Sequence, residues 1–297
     1  MSKYVISGAS GKIGRRVAEQ LLKAGHNVTV ISRSPDNVSS LETQGAVVAS
    51  GNTNDVGFLK KTFTDADAFF ALVPVNAQSK DHQAEQVTHV KAFTEALRGS
   101  SIRHVVGISS IGATLPEKWG IVYGLHVMEE ALNEIPELNT MFLRGSYFME
   151  NSLGLIPGIK KFGKMFAPID PSLSFPVVST ADIATRAVEH LKGLSFLGKN
   201  VENTLGPQFI TYPEVARVYG AAIGKPELAY QQVGMDDFKN ALISIGMSQN
   251  IADNYAEFTT QMNQGLVYQP GTQPTPETTP TDITQFSTVF ASVYNNS

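Results

Sequence analysis

A chain of 297 residues with 42% hydrophobic side chains has the material for a large buried core, in one elaborated domain or a core domain with a smaller lobe. Its 23 basic and 27 acidic side chains leave a net charge of −4, which offers no electrostatic footprint for direct nucleic-acid binding. The lack of cysteine excludes disulfides, thiol nucleophiles, iron–sulfur clusters and Cys-based zinc sites, and apolar stretches such as 69–73 are far too short to span a bilayer.

The N-terminus enters a strand within three residues and shows no signal peptide, so a cytoplasmic protein is expected. That strand, Tyr4-Val5-Ile6, runs into Ser7-Gly8-Ala9-Ser10-Gly11-Lys12-Ile13-Gly14 and then a helix through 17–22. Gly25 stops the helix, and 26–31 reads as a second, β-branched strand. Each glycine meets a different need. Gly8 permits the tight turn, Gly11 lets backbone approach a pyrophosphate, and Gly14 lets the helix pack near the strand. The phosphates would lie at the positive end of the helix, so Gly8, Ser10, Gly11, Lys12, Ile13 and Gly14 are the expected dinucleotide cradle.

About 20 residues past such glycines an NAD site places a carboxylate for the ribose. Here the strand ends in Ile31-Ser32-Arg33-Ser34. A guanidinium with two flanking hydroxyls suits a 2′-phosphate, which a carboxylate would repel, so NADP(H) is preferred over NAD(H). The competing reading is a solvated Arg33, with Asp36 serving a ribose.

A third strand is expected over 46–49, a short helix over 58–63 and a fourth strand over 68–73, with near-continuous apolar runs that imply burial on both faces. Val87, Val90, Phe93 and Leu97 set a helix over 81–97, and a fifth strand over 104–108 ends at Ser109-Ser110. The alternation defines an α/β fold with a doubly wound, mostly parallel Rossmann-type sheet and ligands at the carboxyl ends of its strands. Loops carrying the glycines, Arg33, Gly51-Asn52, Val73-Pro74 and Ser109 should converge on one crevice.

A helix over 123–132 and a sixth strand over 140–144 follow, and the alternation then stops. Residues 147–166 are rich in aromatic residues, Leu, Met and Gly, which suits either the apolar wall of a substrate pocket or the packing of a smaller α-rich lobe. A helix beginning near Ala181, with Asp182 at its positive end, returns to the main sheet, and Thr211 with Glu214 caps another. The expected organisation is a dinucleotide-binding domain over 1–146 and 177–210 and a substrate lobe over 147–176 and 211–269. Residues 270–297 hold an extended connection with Pro270, Pro274, Pro276 and Pro280, then a docking helix with Ile283, Phe286, Phe290 and Val293 at helical spacing.

The Gly8-Ala9-Ser10-Gly11-Lys12-Ile13-Gly14 turn, the Arg33 strand end, Gly51-Asn52-Thr53-Asn54-Asp55, Leu72-Val73-Pro74, Leu143-Arg144-Gly145-Ser146-Tyr147-Phe148-Met149-Glu150-Asn151 and Val178-Ser179-Thr180-Ala181-Asp182-Ile183-Ala184 resemble the NmrA-like atypical short-chain dehydrogenase/reductases over most of the chain. His126-Val127-Met128-Glu129-Glu130 is similar to the His-x-x-x-Glu pattern of the branch of NADPH-dependent quinone and dye reductases. The resemblance implies bound NADP(H) and reduction of a flat conjugated acceptor. Asn52 replaces the family's common Asp at an adenine contact. The Tyr-x-x-x-Lys pair of conventional short-chain dehydrogenases is missing, since Val127 stands four residues after Tyr123 and no Lys occurs between Lys118 and Lys160, and ordinary alcohol dehydrogenation is disfavoured. A conjugated acceptor is less demanding, because positioning against the nicotinamide supplies most of the catalysis.

The candidate catalytic residues are His126, placed to reach the nicotinamide ribose or polarise an acceptor oxygen, and Tyr147 and Asn151, placed to line the nicotinamide side of the pocket. Each has an ordinary alternative as a packing or capping residue. Ser109 reads as a strand-end hydroxyl near the cofactor, without the Gly-x-Ser-x-Gly elbow of a nucleophile. His82, Glu85 and His89 imitate a metal-ligand spacing but read as a solvated helix face. No metal is expected, and the acceptor is a small apolar or aromatic molecule. The competing function is a non-catalytic NADP(H) redox sensor that acts through a protein partner, as NmrA-like regulators do.

Overall fold

A computed structural model describes residues 1–268 and 278–297, so Pro270, Pro274 and Pro276 of the expected connection lie outside the described residues. The first half alternates β1 (Lys3–Ile6), α1 (Lys12–Lys23), β2 (Asn27–Ser32), α2 (Ser39–Thr43), β3 (Val47–Ser50), α3 (Val56–Thr62), β4 (Ala68–Ala71), α4 (His82–Leu97), β5 (His104–Ser110), α5 (Tyr123–Asn133) and β6 (Asn139–Gly145). Then come β7 (Tyr147–Phe148), α6 (Ile156–Phe162), β8 (Lys164–Ala167), β9 (Phe175–Val178), α7 (Thr180–Gly193) and β10 (Lys199–Thr204). The chain continues through β11 (Phe209–Ile210), α8 (Tyr212–Ala222), β12 (Ala229–Gln232), α9 (Met235–Ser244), α10 (Gln249–Asn263) and α11 (Ile283–Asn296).

Seven strands form one sheet in the order β10-β6-β5-β4-β1-β2-β3, and each neighbouring pair is parallel. Such a sheet must be covered on both faces. Val17, Ala18 and Leu21 of α1 meet Ile183, Ala184 and Leu191 of α7 on one face, while Val90, Phe93 and Leu97 of α4 meet Met128 and Leu132 of α5 on the other. The order reverses between β1 and β4, and it is outside the carboxyl ends of the strands at such a switch point that open α/β sheets bind ligands.

Burial on both faces holds for β4, whose four residues are all buried. It fails for β3, where Val47 is 64% exposed because this strand has no neighbour beyond it in the sheet. The solvated face expected for His82 and His89 is also corrected, since both are buried. Together with Gln86 they form a polar row on α4 that holds other segments: His82 Nε2 lies 3.1 Å from the Ile121 carbonyl, Gln86 Oε1 accepts the Gly124 N–H at 2.9 Å, and His89 Nδ1 lies 2.9 Å from Thr53 Oγ1. Burial pushes both imidazoles below their ordinary pKa. No group of three potential metal ligands occurs among the described residues.

A third hydrophobic cluster lies beyond the sheet. It joins Met149, Ile156 and Phe175 to Tyr212, Val215 and Tyr219 of α8 and to Ile283, Phe286 and Phe290 of α11. Val293, expected on the docking face, is 38% exposed on the rim of α11. Thr211 and Glu214 form the reciprocal cap of α8. Asp182, besides its place in the first turn of α7, accepts from the N–H and hydroxyl of Thr281 and so ties the C-terminal segment to this helix. No helix among the described residues is long and apolar enough to cross a membrane.

The edge strand β10 is fastened by charge. Glu202 receives Arg186 Nε and Nη2 at 2.9 and 2.8 Å and lies 2.8 Å from His190 Nε2. Burial pushes the Glu202 carboxyl up, but the hydrogen bonds from His190 and Arg186 outweigh it and hold the group at about 2, against an ordinary 4.5. A depressed pKa in the folded state contributes stability that is present above the unfolded value and lost as pH falls toward the folded one. E202Q is therefore expected to be less stable than the wild type at pH 7, with the difference shrinking from 4.5 to about 2. Urea midpoints across that range check it, and a difference independent of pH would refute the assignment.

Candidate functional site

The turn between β1 and α1 is shaped by what its glycines lack. Gly8 has φ +69°, a conformation L side chains rarely adopt, and a Cβ there would stand 2.9 Å from the Leu72 side chain. A Cβ on Gly14 would stand 2.4 Å from the Gly8 carbonyl oxygen, so only glycine lets α1 start this close to β1. Ser7 fastens the turn to β4, accepting the Leu72 N–H at 2.7 Å with its hydroxyl 3.1 Å from the Phe70 and Leu72 carbonyls. Gly11 caps α1 without a side-chain hydrogen bond, and the first turn carries no acid. Its N–H groups are thus left to an anion, and Ser10, Gly11 and Lys12 are exposed while Ile13 and Gly14 are buried. This cradle fits a dinucleotide pyrophosphate.

Arg33 is exposed just past β2. Of its flanking hydroxyls, Ser34 is exposed, but Ser32 is buried and turned back, with its hydroxyl donating to the Ser34 carbonyl at 2.8 Å. Beside this strand end, Arg15 Nη1 and Nη2 reach Ser40 Oγ at 2.7 Å and the Asn37 carbonyl at 2.6 Å. Half-buried Asn52 shapes the turn after β3, its carbonyl accepting the Asp55 N–H at 3.1 Å. Burial lowers the His89 pKa, the bond to Thr53 and the Glu85 charge oppose that shift, and the Arg33 charge adds a smaller lowering. Val73 is buried and Pro74 half-buried just beyond β4.

Ser109 is only 1% exposed, and its hydroxyl donates to the Glu129 carboxylate on α5. Glu129 also takes a two-pronged bond from Arg144 at the end of β6, with Nε at 3.0 and 3.2 Å from its two oxygens and Nη2 on the second. This buried Ser109–Glu129–Arg144 group was not singled out from sequence. The available signal was a carboxylate on an otherwise buried helix face.

His126 Nδ1 lies 3.0 Å from the Ala113 carbonyl, its Nε2 3.4 Å from a Glu130 oxygen, and its ring stacks on Trp119 with centroids 4.4 Å apart. Nδ1 and the ring thus meet the β5–α5 connection, while Nε2 pairs within α5 itself. Tyr147 turns toward the third cluster, whereas its neighbour Phe148 packs on the sheet. The Tyr147 hydroxyl lies 2.9 Å from that of Tyr212. Burial raises the Tyr147 phenol, while bonds to Tyr212 and to exposed Asn151 oppose the rise. No hydrogen bond or ring contact among the described residues joins His126 to Tyr147. Tyr212 escaped sequence reading because only the third dimension brings α8 to β7.

A parallel sheet with this cradle at its switch point is an NAD(P)-binding Rossmann fold. The NmrA-like family model matches residues 1–286, and the chain belongs to that family. It is similar to (4-alkanoyl-5-oxo-2,5-dihydrofuran-3-yl)methyl phosphate reductase of Streptomyces griseus, at 25% identity over 81% of this chain and 80% of that one. It is also similar to quinone oxidoreductase 2 of Escherichia coli, at 24% identity over 89% of each. The structure of Citrobacter sp. triphenylmethane reductase complexed with NADP(H) superposes with a TM-score of 0.75, at 20% identity, over 98% of this chain and 100% of that one. The protein is an oxidoreductase.

Proposed function

We propose that the protein is a cytoplasmic NADPH-dependent reductase of a quinone-like or other conjugated small molecule. The observation that carries this reading is that the sheet bearing the glycine cradle leads, from β6 into β7, to a lobe whose apolar cluster gathers Tyr147, Phe175, Tyr212, Tyr230 and Tyr268. A flat, uncharged acceptor suits such a wall. The names of the reductases it resembles support the same class.

NADPH, when bound, supplies a hydride. The first-turn N–H groups of α1, with Gly8, Ser10, Gly11, Lys12, Ile13 and Gly14, would hold the pyrophosphate, and Arg33 would take the 2′-phosphate. Asn52 would serve the adenine end, and Val73, Pro74 and Ser109 the nicotinamide end, Ser109 through its backbone because its hydroxyl is committed to Glu129. Tyr147 and Asn151 face the acceptor. His126, with both nitrogens engaged, holds the β5–α5 connection that walls the site.

NADPH oxidation followed optically with a panel of quinones and dyes, with cofactor binding confirmed on the same preparation, tests this reading. Acceptor-dependent turnover is expected; binding without turnover on any acceptor would overturn it. R33S is expected to weaken NADPH binding by about 10- to 100-fold, the size of a lost charge-assisted bond, and to leave NADH binding unchanged. Equal losses for both cofactors would remove Arg33 from the 2′-phosphate. The missing Tyr-x-x-x-Lys pair favours a second reading, a redox sensor, for which partner capture must differ with and without NADP(H).

A further inference from the structure

We propose that Tyr212 is a positioning residue that directs the Tyr147 hydroxyl hydrogen toward the acceptor, so that Tyr147 delivers the proton that accompanies hydride transfer. The inference rests on the reading of the lobe as the acceptor site and adds to it a specific pair of phenols.

The two hydroxyl oxygens are 2.9 Å apart, and geometry alone allows either to donate. Their surroundings break the tie. Tyr212 is 3% exposed, and Tyr147 is the one hydrogen-bond partner of its hydroxyl among the described residues. A phenol has a single hydrogen. If Tyr147 donated inward, the Tyr212 hydrogen would be buried without an acceptor, which is the costlier arrangement. With Tyr212 donating, both hydroxyls are satisfied and the Tyr147 hydrogen faces the half-buried side, where its other partner, Asn151, is exposed and can yield its place to an acceptor.

Tyr212 is well held for this role. It is the first residue of α8, whose start is locked by the bond from the Thr211 N–H to Glu214 Oε2 at 2.8 Å and the reciprocal one from the Glu214 N–H to Thr211 Oγ1. Its ring stacks on Tyr230 with centroids 5.0 Å apart and lies 5.6 Å from Phe175. The neighbouring phenols are committed elsewhere. The Tyr230 hydroxyl reaches the Ala167 and Ile169 carbonyls, and that of Tyr219 lies 2.9 Å from Ser152 Oγ. Burial raises the phenols of Tyr147 and Tyr212, which keeps both protonated and able to donate near neutrality.

The proton balance is simple. Once hydride has reached the acceptor, the Oη–H bond of Tyr147 breaks and an O–H bond forms on the acceptor oxygen. The Tyr212 hydrogen bond stabilises the phenolate that results, and Tyr147 recovers a proton from water on the Asn151 side. The sum is one NADPH, one acceptor and one proton, giving NADP⁺ and the reduced acceptor.

Two variants and one spectroscopic readout test the proposal. With NADP⁺ bound, so that no turnover occurs, the infrared carbonyl band of a bound isotope-labelled naphthoquinone reports the hydrogen bond it accepts. The band is expected to move to lower frequency in the wild type, to lose that shift in Y147F and to lose part of it in Y212F. In turnover, Y212F is expected to lower kcat about tenfold with KM unchanged, and Y147F to lower it about a hundredfold. A 2,3-difluorotyrosine at position 212 keeps the ring and strengthens the donor, so it should enlarge the band shift even if Y212F does not fold. A wild-type band and kcat in Y212F with an impaired Y147F, or a band unmoved by the fluorinated residue, overturns the role of Tyr212 and spares the acceptor site. A Y147F variant indistinguishable from the wild type removes Tyr147 from the site and takes that reading with it.

Discussion

Replacing Glu129 by alanine is expected to destabilise the protein by about 3–5 kcal/mol, the usual consequence of removing one partner of a buried ion pair. Arg144 would be left with its charge facing an emptied space, and the Ser109 hydroxyl would lose its acceptor. The damage falls between β5, β6 and α5, where it loosens the crevice floor as well as the sheet. Glu129→Gln keeps the shape and two acceptor lone pairs, so it should lose less. Removing both charges, as Glu129→Leu with Arg144→Met, should recover much of the loss, because the desolvation cost of the pair disappears with it. Denaturant unfolding of the four proteins decides the matter. A double variant as unstable as E129A would mean that packing, and not the unpaired charge, sets the effect.

Gly14→Ala carries the second large expected effect. Its Cβ would come within 2.4 Å of the Gly8 carbonyl oxygen, 2.6 Å of the Gly8 carbonyl carbon and 3.0 Å of the Ala9 nitrogen. All three are backbone atoms, so no rotamer change relieves the contact. The turn must open and α1 must withdraw from β1, at about 1–3 kcal/mol of stability. The N–H groups of the first turn move with the helix, and NADPH affinity is expected to fall by about 100-fold, equivalent to roughly 2.7 kcal/mol. Gly25→Asn is the control: its φ of +82° strains any L residue, Asn among the least, so some stability is lost, but the open space around it and its place at the far end of α1 leave affinity unchanged. Cofactor fluorescence titration and thermal unfolding measure both quantities. Unchanged binding in G14A would detach the glycine cradle from the cofactor.

The legible parts of this protein were those whose physics is local. Gly8, Gly11 and Gly14 could be read because turn geometry and close approach act within a few residues. The cap formed by Thr211 and Glu214 spans three residues and was equally accessible. The same holds for the apolar periodicity that set α4 and for the continuous burial of β4. His82 and His89 were misread because their spacing on α4 is the same whether the face meets water or protein. What buries them is the β5–α5 connection and Thr53, both remote in sequence. Val47 was misjudged for a related reason, since an edge strand and a central strand share a composition.

Periodicity, backbone sterics and the charge of single residues suffice for the alternation of strands and helices, the tight glycine turn after β1 and an arginine at the second strand end. Where side chains from distant segments meet was settled by the packed fold alone. It turned Ser109 onto Glu129, joined His126 Nδ1 to the Ala113 carbonyl and set Tyr147 against Tyr212, 65 residues away. Hydrogen bonds act over about 3 Å and care nothing for separation along the chain, so such pairings exist only once the core has brought β7 and α8 together.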